Sequence, residues 1–351
     1  MRKAVMSCLA VLSCLSLAPA GRAAVTIEYV PVGNPGNSPD PATGFGSVAQ
    51  LYFIGKHEVT NSQYAEFLNA KAASDPVGLY NLSMASDARG GIIRSGSTGS
   101  RTYAVKAGQG NQPVVFVNWY SSIRFANWLN NGQGAGDTEN GAYTLAGGSV
   151  IPSNDRTIAR NAGAAVFLPS ENEWYKAAHH QPSIAGGDGD GYWLYPTGTN
   201  AEPNSDQPPG DPSIQTNAAN FFRDDGLANG FNDGYAVTAS TSLSASTNYL
   251  TDVGAYAVAD SFYGTFDQGG NVFEWNEDRA SESESPRGVR GGMWNSTSDV
   301  LGAGLNFYEE PGTERSTIGF RVASIPEPAS GLALLSGGSL MLIRRRTTGG
   351  V

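Results

Sequence analysis

Apolar residues recur at helical spacing in three segments of this chain, and long glycine-rich stretches separate those segments. The first predicted helix begins at Thr60 and Asn61, either of which can cap it. Its apolar face carries Tyr64, Phe67 and Leu68. This spacing of three to four residues is typical of a helix that packs one side against a core.

Two further helices show the same pattern of polar cap and apolar stripe. Asn118 can cap the second, whose stripe includes Trp119, Ile123 and Ala126. The third opens with the capping box Ser170-Glu171-Asn172-Glu173 and continues through Trp174. We therefore expect three helices in the body of the chain.

Short runs of β-branched and aromatic residues precede these helices. They cover Leu51 to Ile54, Pro113 to Val117 and Ala165 to Leu168. Such runs favour strands. No repeat with a period of 20 to 50 residues is visible, which argues against a solenoid or propeller. Strands mixed with helices and long loops predict an α+β fold.

The composition favours one loop-rich domain between residues 25 and 324. The 351-residue chain has 45 glycines and only 15% charged residues, and no linker-like run divides this region. The formal net charge of −10 repels nucleic acid, so we expect no nucleic-acid partner. It is compatible with bound cations and with neutral or cationic polymers.

The first 24 residues predict a secretory signal peptide. Basic Arg2 and Lys3 precede an apolar stretch, and small residues follow it. The only cysteines of the chain, Cys8 and Cys14, lie in that stretch. The mature protein would then be exported across the inner membrane without a disulfide or a thiolate metal site.

The last segment, residues 325–351, predicts a second targeting signal. Pro326-Glu327-Pro328 precedes an apolar run from Ala329 to Ile343, and Arg344 to Arg346 follow. This order resembles the PEP-CTERM sorting signal of Gram-negative bacteria, with a short transmembrane segment. The resemblance implies recognition by an exosortase-type enzyme and a final location at the cell surface, in the outer membrane or outside the cell.

The most informative motif is the run from Tyr263 to Trp275, YGTFDQGGNVFEW. With Arg290 to Trp294 (RGGMW) and Ile318 to Val322 (IGFRV), it resembles the formylglycine-generating, sulfatase-modifying factor family. Three earlier blocks match the family in the same order: Glu58 to Tyr64, Pro113 to Trp119 and Leu168 to Trp174. The resemblance implies the irregular, loop-rich C-type-lectin-like fold of that family.

The resemblance also implies two structural calcium sites. The first would use the side chains of Asp267 and Glu274 with the carbonyls of Gly270 and Val272. The second would use the side chains of Asn220 and Asp233 with the carbonyls of Phe221 and Tyr235. Such oxygen donors suit calcium. The residues alone leave an alternative open, because Asp-x-x-Gly and Asp-Gly also occur in ordinary turns.

The chemistry of the family requires two cysteines and copper, and this chain lacks the cysteines. By spacing from the Arg-Gly-Gly block, Ser296 and Leu301 stand at the thiol positions. Neither side chain can bind copper(I) or cycle between thiol and disulfide. We therefore expect no copper and no formylglycine-generating activity.

Other sites in the sequence favour plain structural interpretations. The loop from Gly186 to Gly191 lacks the later carboxylates of an EF-hand and is typical of a mobile loop. His179 and His180 are adjacent on a helix, so they cannot grip one metal together. The carboxylate pairs Glu171 with Glu173, and Glu274 with Asp278, leave a glycoside hydrolase open as an alternative.

We interpret the chain as an exported, surface-sorted protein that is a calcium-stabilised binding or structural module. Its candidate ligand-binding residues lie beside the replaced thiol positions: Trp294, Asn295, Ser296 and Asn306. Aromatic faces and amides suit an extracellular polysaccharide, and a surface protein is a second candidate partner. The alternative is an enzyme of the same superfamily with non-thiol oxidative chemistry.

Overall fold

The computed structural model describes residues 24–281 and 285–325. The two predicted sorting segments therefore lie outside the described residues, apart from Ala24 and Ile325. Five helices occur in the described part: α1 Asn61–Lys71, α2 Ser83–Ser86, α3 Trp119–Asn130, α4 Glu171–His179 and α5 Ser298–Leu301. No helix in this part is long and apolar enough to cross a membrane.

The strands are short and spread along the whole described region. They are β1 Tyr29–Val32, β2 Tyr52–Gly55, β3 Ile92–Ser95, β4 Thr102–Val105, β5 Val166–Phe167, β6 Asn204–Ser205, β7 Ala218–Ala219, β8 Phe222–Asp224, β9 Asp233–Tyr235, β10 Phe273–Arg279, β11 Arg287–Arg290, β12 Phe307–Glu309, β13 Ile318–Phe320 and β14 Ala323–Ser324. Most of the chain between them is loop.

Two four-stranded sheets organise the domain. One has the order β1-β2-β14-β5 and the other β12-β11-β10-β13, with β10 and β13 parallel. The remaining strands form three two-stranded pairs, β3-β4, β6-β7 and β8-β9. The motif from Tyr263 to Trp275 ends within β10 of the second sheet, and the motif from Arg290 to Trp294 begins at the last residue of β11.

Helix α3 is the centre of the core, and ten of its twelve residues are buried. The indole of Trp119 donates to the carbonyl of Asn276 at 2.9 Å, and the indole of Trp275 donates to the carbonyl of Val117 at 3.0 Å. Since these bonds run in both directions, they fix α3 against β10. A rigid link of this kind holds the motif strand in place.

The predicted helix starts are confirmed. Thr60 and Ser170 each form a full capping box, with Gln63 and Glu173 as the partners three residues on. Asn118 caps α3 by accepting a hydrogen bond from the Ser121 N–H. Local polar chemistry therefore sets where all three predicted helices begin.

The prediction of a strand from Pro113 to Val117 is wrong. Only Pro113 makes a bridge, to Thr60, and the following residues are not in a sheet. Phe116 has a φ of 60°, which an extended strand does not allow. Its N–H bonds to the carbonyl of Arg315 instead of to a strand partner. The apolar run is buried as predicted, but as irregular chain.

Candidate functional site

The structure brings the two replaced thiol positions together. Strand β11 ends at Arg290, and Gly292 follows with a φ of 78°, a conformation that favours glycine. A Cβ on Gly292 would lie 2.7 Å from Leu301 Cδ1 and 3.5 Å from Ser296 Cβ. Both side chains therefore pack against the same turn of the backbone.

Both positions are buried and make contacts within the fold. Ser296 is 6% exposed, and its hydroxyl accepts a hydrogen bond from the Met293 N–H at 3.1 Å. Leu301 is 1% exposed and packs with Tyr195, Ala219 and Phe221. A hydroxyl within a turn and a buried aliphatic side chain cannot supply the electron transfer that two thiols would carry out.

The four candidate ligand residues do not share one surface. Trp294 is buried and stacks on Tyr249 with 4.6 Å between ring centroids and 8° between planes. Its indole N–H has no hydrogen-bond partner within residues 24–281 and 285–325. Asn295 is exposed, Ser296 is buried, and Asn306 lines a different cleft. Ligand binding at these residues stays a prediction, and Asn306 is the one placed in a cleft.

At the first predicted calcium site, Glu274 faces a guanidinium. Glu274 and Arg321 are both fully buried. Arg321 donates from Nε to Oε2 and from Nη2 to Oε1 of Glu274, each at 2.6 Å. The Trp174 indole also donates to Oε2, at 2.8 Å. Because both carboxylate oxygens already accept hydrogen bonds and a positive charge lies beside them, these contacts do not favour Glu274 as a calcium ligand.

The other members of that site are held by backbone contacts. Asp267 has a φ of 60°, and its Oδ2 accepts the Gly254 N–H at 2.6 Å. A Cβ on Gly270 would meet the Asn220 carbonyl at 2.3 Å, so the chain approaches too closely for any other residue. Val272 is fully buried beside the start of β10. These residues form a tight turn that leads into the motif strand.

Three carboxylates, Glu58, Asp267 and Glu274, lie close enough to Arg321 to interact with its charge. Burial, and then the charge of Asp267, raise the pKa of Glu58 well above its ordinary value. Burial raises the pKa of Asp267 to about 6. Glu58 accepts a bond from the Asn271 amide on Oε1, while its Oε2 has no hydrogen-bond partner among the described residues. Burial therefore raises the pKa of two of the three carboxylates.

At the second predicted calcium site, the donor residues make hydrogen bonds within the protein, and the Tyr235 carbonyl accepts the Ala239 N–H at 2.9 Å. The Asn220 amide donates to the Tyr249 carbonyl at 2.8 Å, and the Phe221 carbonyl accepts from the Ser205 hydroxyl at 2.7 Å. Asp233 instead accepts the Gly230 N–H at 3.0 Å, and the Tyr235 N–H bonds to Ser240. Among the described residues, no group of three or more His, Cys, Asp or Glu side chains could hold a metal.

The glutamates that could suggest a hydrolase are paired with arginines. We call these pairs the ion-pair frame: Glu171 with Arg290, Glu173 and Glu277 with Arg160, and Glu274 with Arg321. Asp278 accepts the Glu171 N–H at 3.1 Å. Because each of these glutamates meets a guanidinium, they are structural partners, and we see no free acid and base pair among them.

The histidines contribute no charge at neutral pH. Burial lowers the pKa of His179 to about 3 and that of His180 to about 4. The His180 ring stacks on Tyr263 and contacts its hydroxyl at 2.7 Å. Burial also lowers the pKa of His57 to about 4. His179 and His180 are therefore buried neutral groups, while His57 is half-buried.

Sequence reasoning missed a cleft of about 520 Å³, which we call the acidic cleft. It lies between the loop around Asp40, the loop after α4 and the segment after α5. Its main lining residues are the aspartates Asp40, Asp188 and Asp190, the aromatic residues Phe45, Tyr192 and Trp193, and the amides Asn200 and Asn306. The signal in the sequence was the run Asp-Gly-Asp-Gly followed directly by two aromatic residues.

Hydrogen bonds hold the walls of the acidic cleft. The Tyr175 hydroxyl donates to Asp40 at 2.5 Å, and the Asn200 amide donates to Asp188 at 2.6 Å. The Tyr192 hydroxyl donates to the Ser38 carbonyl at 2.7 Å. Asp188 also accepts the Gly189 N–H at 2.7 Å. The bonds from Asn200 and Gly189 together keep the pKa of Asp188 below its ordinary value. Hydrogen bonds within the protein therefore hold each of these parts of the cleft wall.

Comparison with known proteins gives a family and a fold. The family described as sulfatase-modifying factor enzyme 1-like domain matches residues 19–325. The crystal structure of CarF superposes with a TM-score of 0.56 at 20% identity, covering 86% of this chain and 99% of CarF. Treponema denticola variable protein 1 gives 0.50 at 20% identity, covering 86% and 96%. The predicted α+β, loop-rich C-type-lectin-like fold is confirmed.

Curated relatives match over only part of their length. The serine/threonine-protein kinase pkn1 of Chlamydia pneumoniae is 25% identical over 293 residues, which cover 79% of this chain and 33% of the kinase. Pkn1 of Chlamydia trachomatis serovar L2 is 25% identical over 289 residues, with 78% and 33% covered. This chain thus spans about a third of these relatives, and kinase activity is a property of those whole proteins.

Proposed function

We propose, because this chain belongs to the sulfatase-modifying factor enzyme 1-like domain family, that it uses the family fold as a binding module without the thiol oxidase chemistry. One observation carries the proposal. Ser296 and Leu301, at the predicted thiol positions, are both buried against Gly292. Their packing stabilises a turn where an oxidase would need reactive sulfur.

An extracellular polysaccharide is the partner we favour. Loops on a rigid scaffold commonly carry recognition, and the acidic cleft lies among loops held by the core. It combines aromatic faces with amides and carboxylates, which together suit the apolar ring faces and hydroxyls of a sugar. A surface protein remains the second candidate partner, and a glycan screen with a protein pull-down separates the two.

Two experiments test polysaccharide binding and the expected lack of formylglycine-generating activity. The purified protein should retain the extracellular polysaccharide of its own host on an affinity column, and absence of retention would contradict the proposed partner. The protein should also form no aldehyde on a sulfatase-type cysteine peptide supplied with copper and oxygen. Any protein-dependent aldehyde above background would overturn the assignment of Ser296 and Leu301 as packing residues.

Export and sorting are part of the same proposal. Residues 1–24 would direct export, and residues 325–351 would be recognised by an exosortase-type enzyme through Pro326 and Pro328. Replacing both prolines with alanine should leave a larger, unprocessed protein in the inner membrane, because the apolar run and the arginines would still hold it there. Normal sorting of that variant would contradict the role of the tail.

Calcium stays a prediction of the family resemblance. The pairing of Glu274 with Arg321 does not support that carboxylate as a ligand. Thermal melting with calcium and with chelator tests the ion directly, since a bound ion stabilises the folded state by mass action. Elemental analysis of the purified protein provides the second readout.

A further inference from the structure

The acidic cleft is negative, and basic side chains are absent from its lining. Asp40, Asp188 and Asp190 line it, and none of the described lining residues is Lys, Arg or His. The Arg290 guanidinium comes within 5.1 Å of the Phe45 ring, but Arg290 is 2% exposed and ion-paired with Glu171. Its charge is therefore already matched within the fold. Asp40 is 4% exposed and accepts the Tyr175 hydroxyl, so Asp188 and Asp190, whose donors are neutral, are the carboxylates placed to attract a cation.

The same cleft presents aromatic rings. Phe45 and Trp193 are half-buried, and Tyr192 is fixed by hydrogen bonds from its hydroxyl to the Ser38 carbonyl and from the Asn37 amide. Aromatic faces attract cations and also pack against apolar ring faces. Carboxylates beside such rings favour a ligand that carries both a positive charge and a flat apolar face.

The size of the cleft indicates a small ligand or one unit of a polymer. Its volume of about 520 Å³ lies within the range of small-molecule pockets, roughly 300 to 1,000 Å³. A protein partner usually covers a wider and flatter surface. The Thr43 hydroxyl and the Asn306 amide add groups that can hydrogen-bond to sugar hydroxyls. These features together favour a glycan over a protein.

We propose that the acidic cleft binds a protonated amino sugar, a hexosamine unit with a free ammonium group within a glycan. This inference rests on the proposed function and names the ligand class of the binding module. The ammonium group would interact with Asp188 and Asp190, and the sugar ring would pack on the aromatic wall. A hexosamine provides the charge, the apolar ring face and the hydroxyls in one unit.

Calorimetric titration of the purified protein with four defined probes tests the ligand class. The probes are a glucosamine trimer, its N-acetylated counterpart, the neutral glucose trimer cellotriose, and trilysine. The glucosamine trimer should bind roughly tenfold tighter than the acetylated or neutral trimer, since acetylation removes the charge. Its binding should weaken as salt rises, because salt screens the attraction between exposed charges.

A matched pair of variants tests the location. In both Asp190 and Asp211, one carboxylate oxygen accepts the N–H two residues on, from Tyr192 at 3.0 Å and from Ser213 at 2.8 Å. Both aspartates are exposed, and only Asp190 lines the acidic cleft. Asp190→Asn should weaken binding of the glucosamine trimer roughly tenfold, whereas Asp211→Asn should leave it unchanged.

The possible failures are distinguishable. If cellotriose binds as tightly as the glucosamine trimer, the ammonium group does not contribute to binding and this inference is wrong. The proposed glycan-binding function would still hold. If trilysine binds more tightly than the glucosamine trimer, the ligand is a basic peptide and the inference also falls. If the host polysaccharide is retained but Asp190→Asn binds the trimer normally, the site is elsewhere. If no glycan binds at all, the proposed function falls with it.

Discussion

The ion-pair frame and the acidic cleft are both rich in carboxylates, but their surroundings differ. In the frame, Glu171, Glu173 and Glu274 each meet an arginine at hydrogen-bonding distance. In the cleft, Asp188 and Asp190 accept bonds from neutral amides and meet no basic lining residue. Buried charge requires a partner, while charge at a solvated cleft does not. The frame therefore holds the fold, and the cleft can bind a ligand.

Breaking the central pair should have the largest effect. Glu274→Gln would leave the Arg321 guanidinium buried beside a neutral amide, and removing one partner of a buried pair costs about 3–5 kcal/mol of the free energy of unfolding. Urea denaturation measures the loss. Since Arg321 and not an ion satisfies Glu274, we expect the same loss in calcium and in chelator.

The control for this prediction is the pair of Glu28 with Lys56, in which the Glu28 side chain is 64% exposed. Glu28→Gln makes the same chemical change at the surface and should cost less than about 1 kcal/mol. Equal losses in the two variants would show that burial does not set the value of the Glu274 pair. A loss at Glu274 that appears only in calcium would restore this residue as a calcium ligand.

The difference between frame and cleft also explains what the sequence could predict. Helix starts depend on local chemistry, so Thr60, Asn118 and Ser170 identified them correctly. The partner of Glu274 lies 47 residues away, and its identity depends on how β10 and β13 pair. The acidic cleft joins loops more than 100 residues apart, such as those of Asp40 and Asp188. Such pairings follow from the tertiary fold and not from local spacing.

Leu301 tests whether a replaced thiol position now belongs to the stabilising core. Its side chain is 1% exposed, so Leu301→Ala should cost about 2–4 kcal/mol through lost contacts and a cavity. Leu227, which is 63% exposed, provides the control, and Leu227→Ala should change stability by less than about 0.5 kcal/mol. Denaturation of both variants measures the difference. A loss at Leu301 no greater than at Leu227 would contradict its packing role.

The pH dependence of stability should have opposite signs for Asp267, which lies near Arg321 of the ion-pair frame, and for Asp188 of the acidic cleft. The pKa of Asp267 is about 6 in the folded protein, above its ordinary value of 3.8, because the carboxylate is buried. Between about pH 4 and pH 6 the folded state holds a proton that the unfolded chain releases, so stability should fall as pH rises through this window. The size is on the order of 1–3 kcal/mol. Melting in chelator across this range measures it.

The matched variants for this window are Asp267→Asn and Asp188→Asn. Asp267→Asn should flatten the fall in stability, because the residue that takes up the proton is gone. Asp188→Asn should not flatten it, since hydrogen bonds lower the pKa of Asp188 and its contribution is lost only as pH falls. An unchanged slope in Asp267→Asn would assign the fall to other groups, with Glu58 as the next to test.

The smallest effect on stability should come from the acidic cleft itself. Asp190 is exposed, and Asn at this position keeps an oxygen that can accept the Tyr192 N–H. Asp190→Asn should therefore change the free energy of unfolding by less than about 0.5 kcal/mol, although it weakens binding of a cationic sugar. Denaturation and titration of one preparation measure both quantities. A loss of stability comparable to that of Glu274→Gln would contradict this prediction and give Asp190 a structural role like that of the frame glutamates, because an exposed residue whose Asn variant still accepts the Tyr192 N–H should lose little stability.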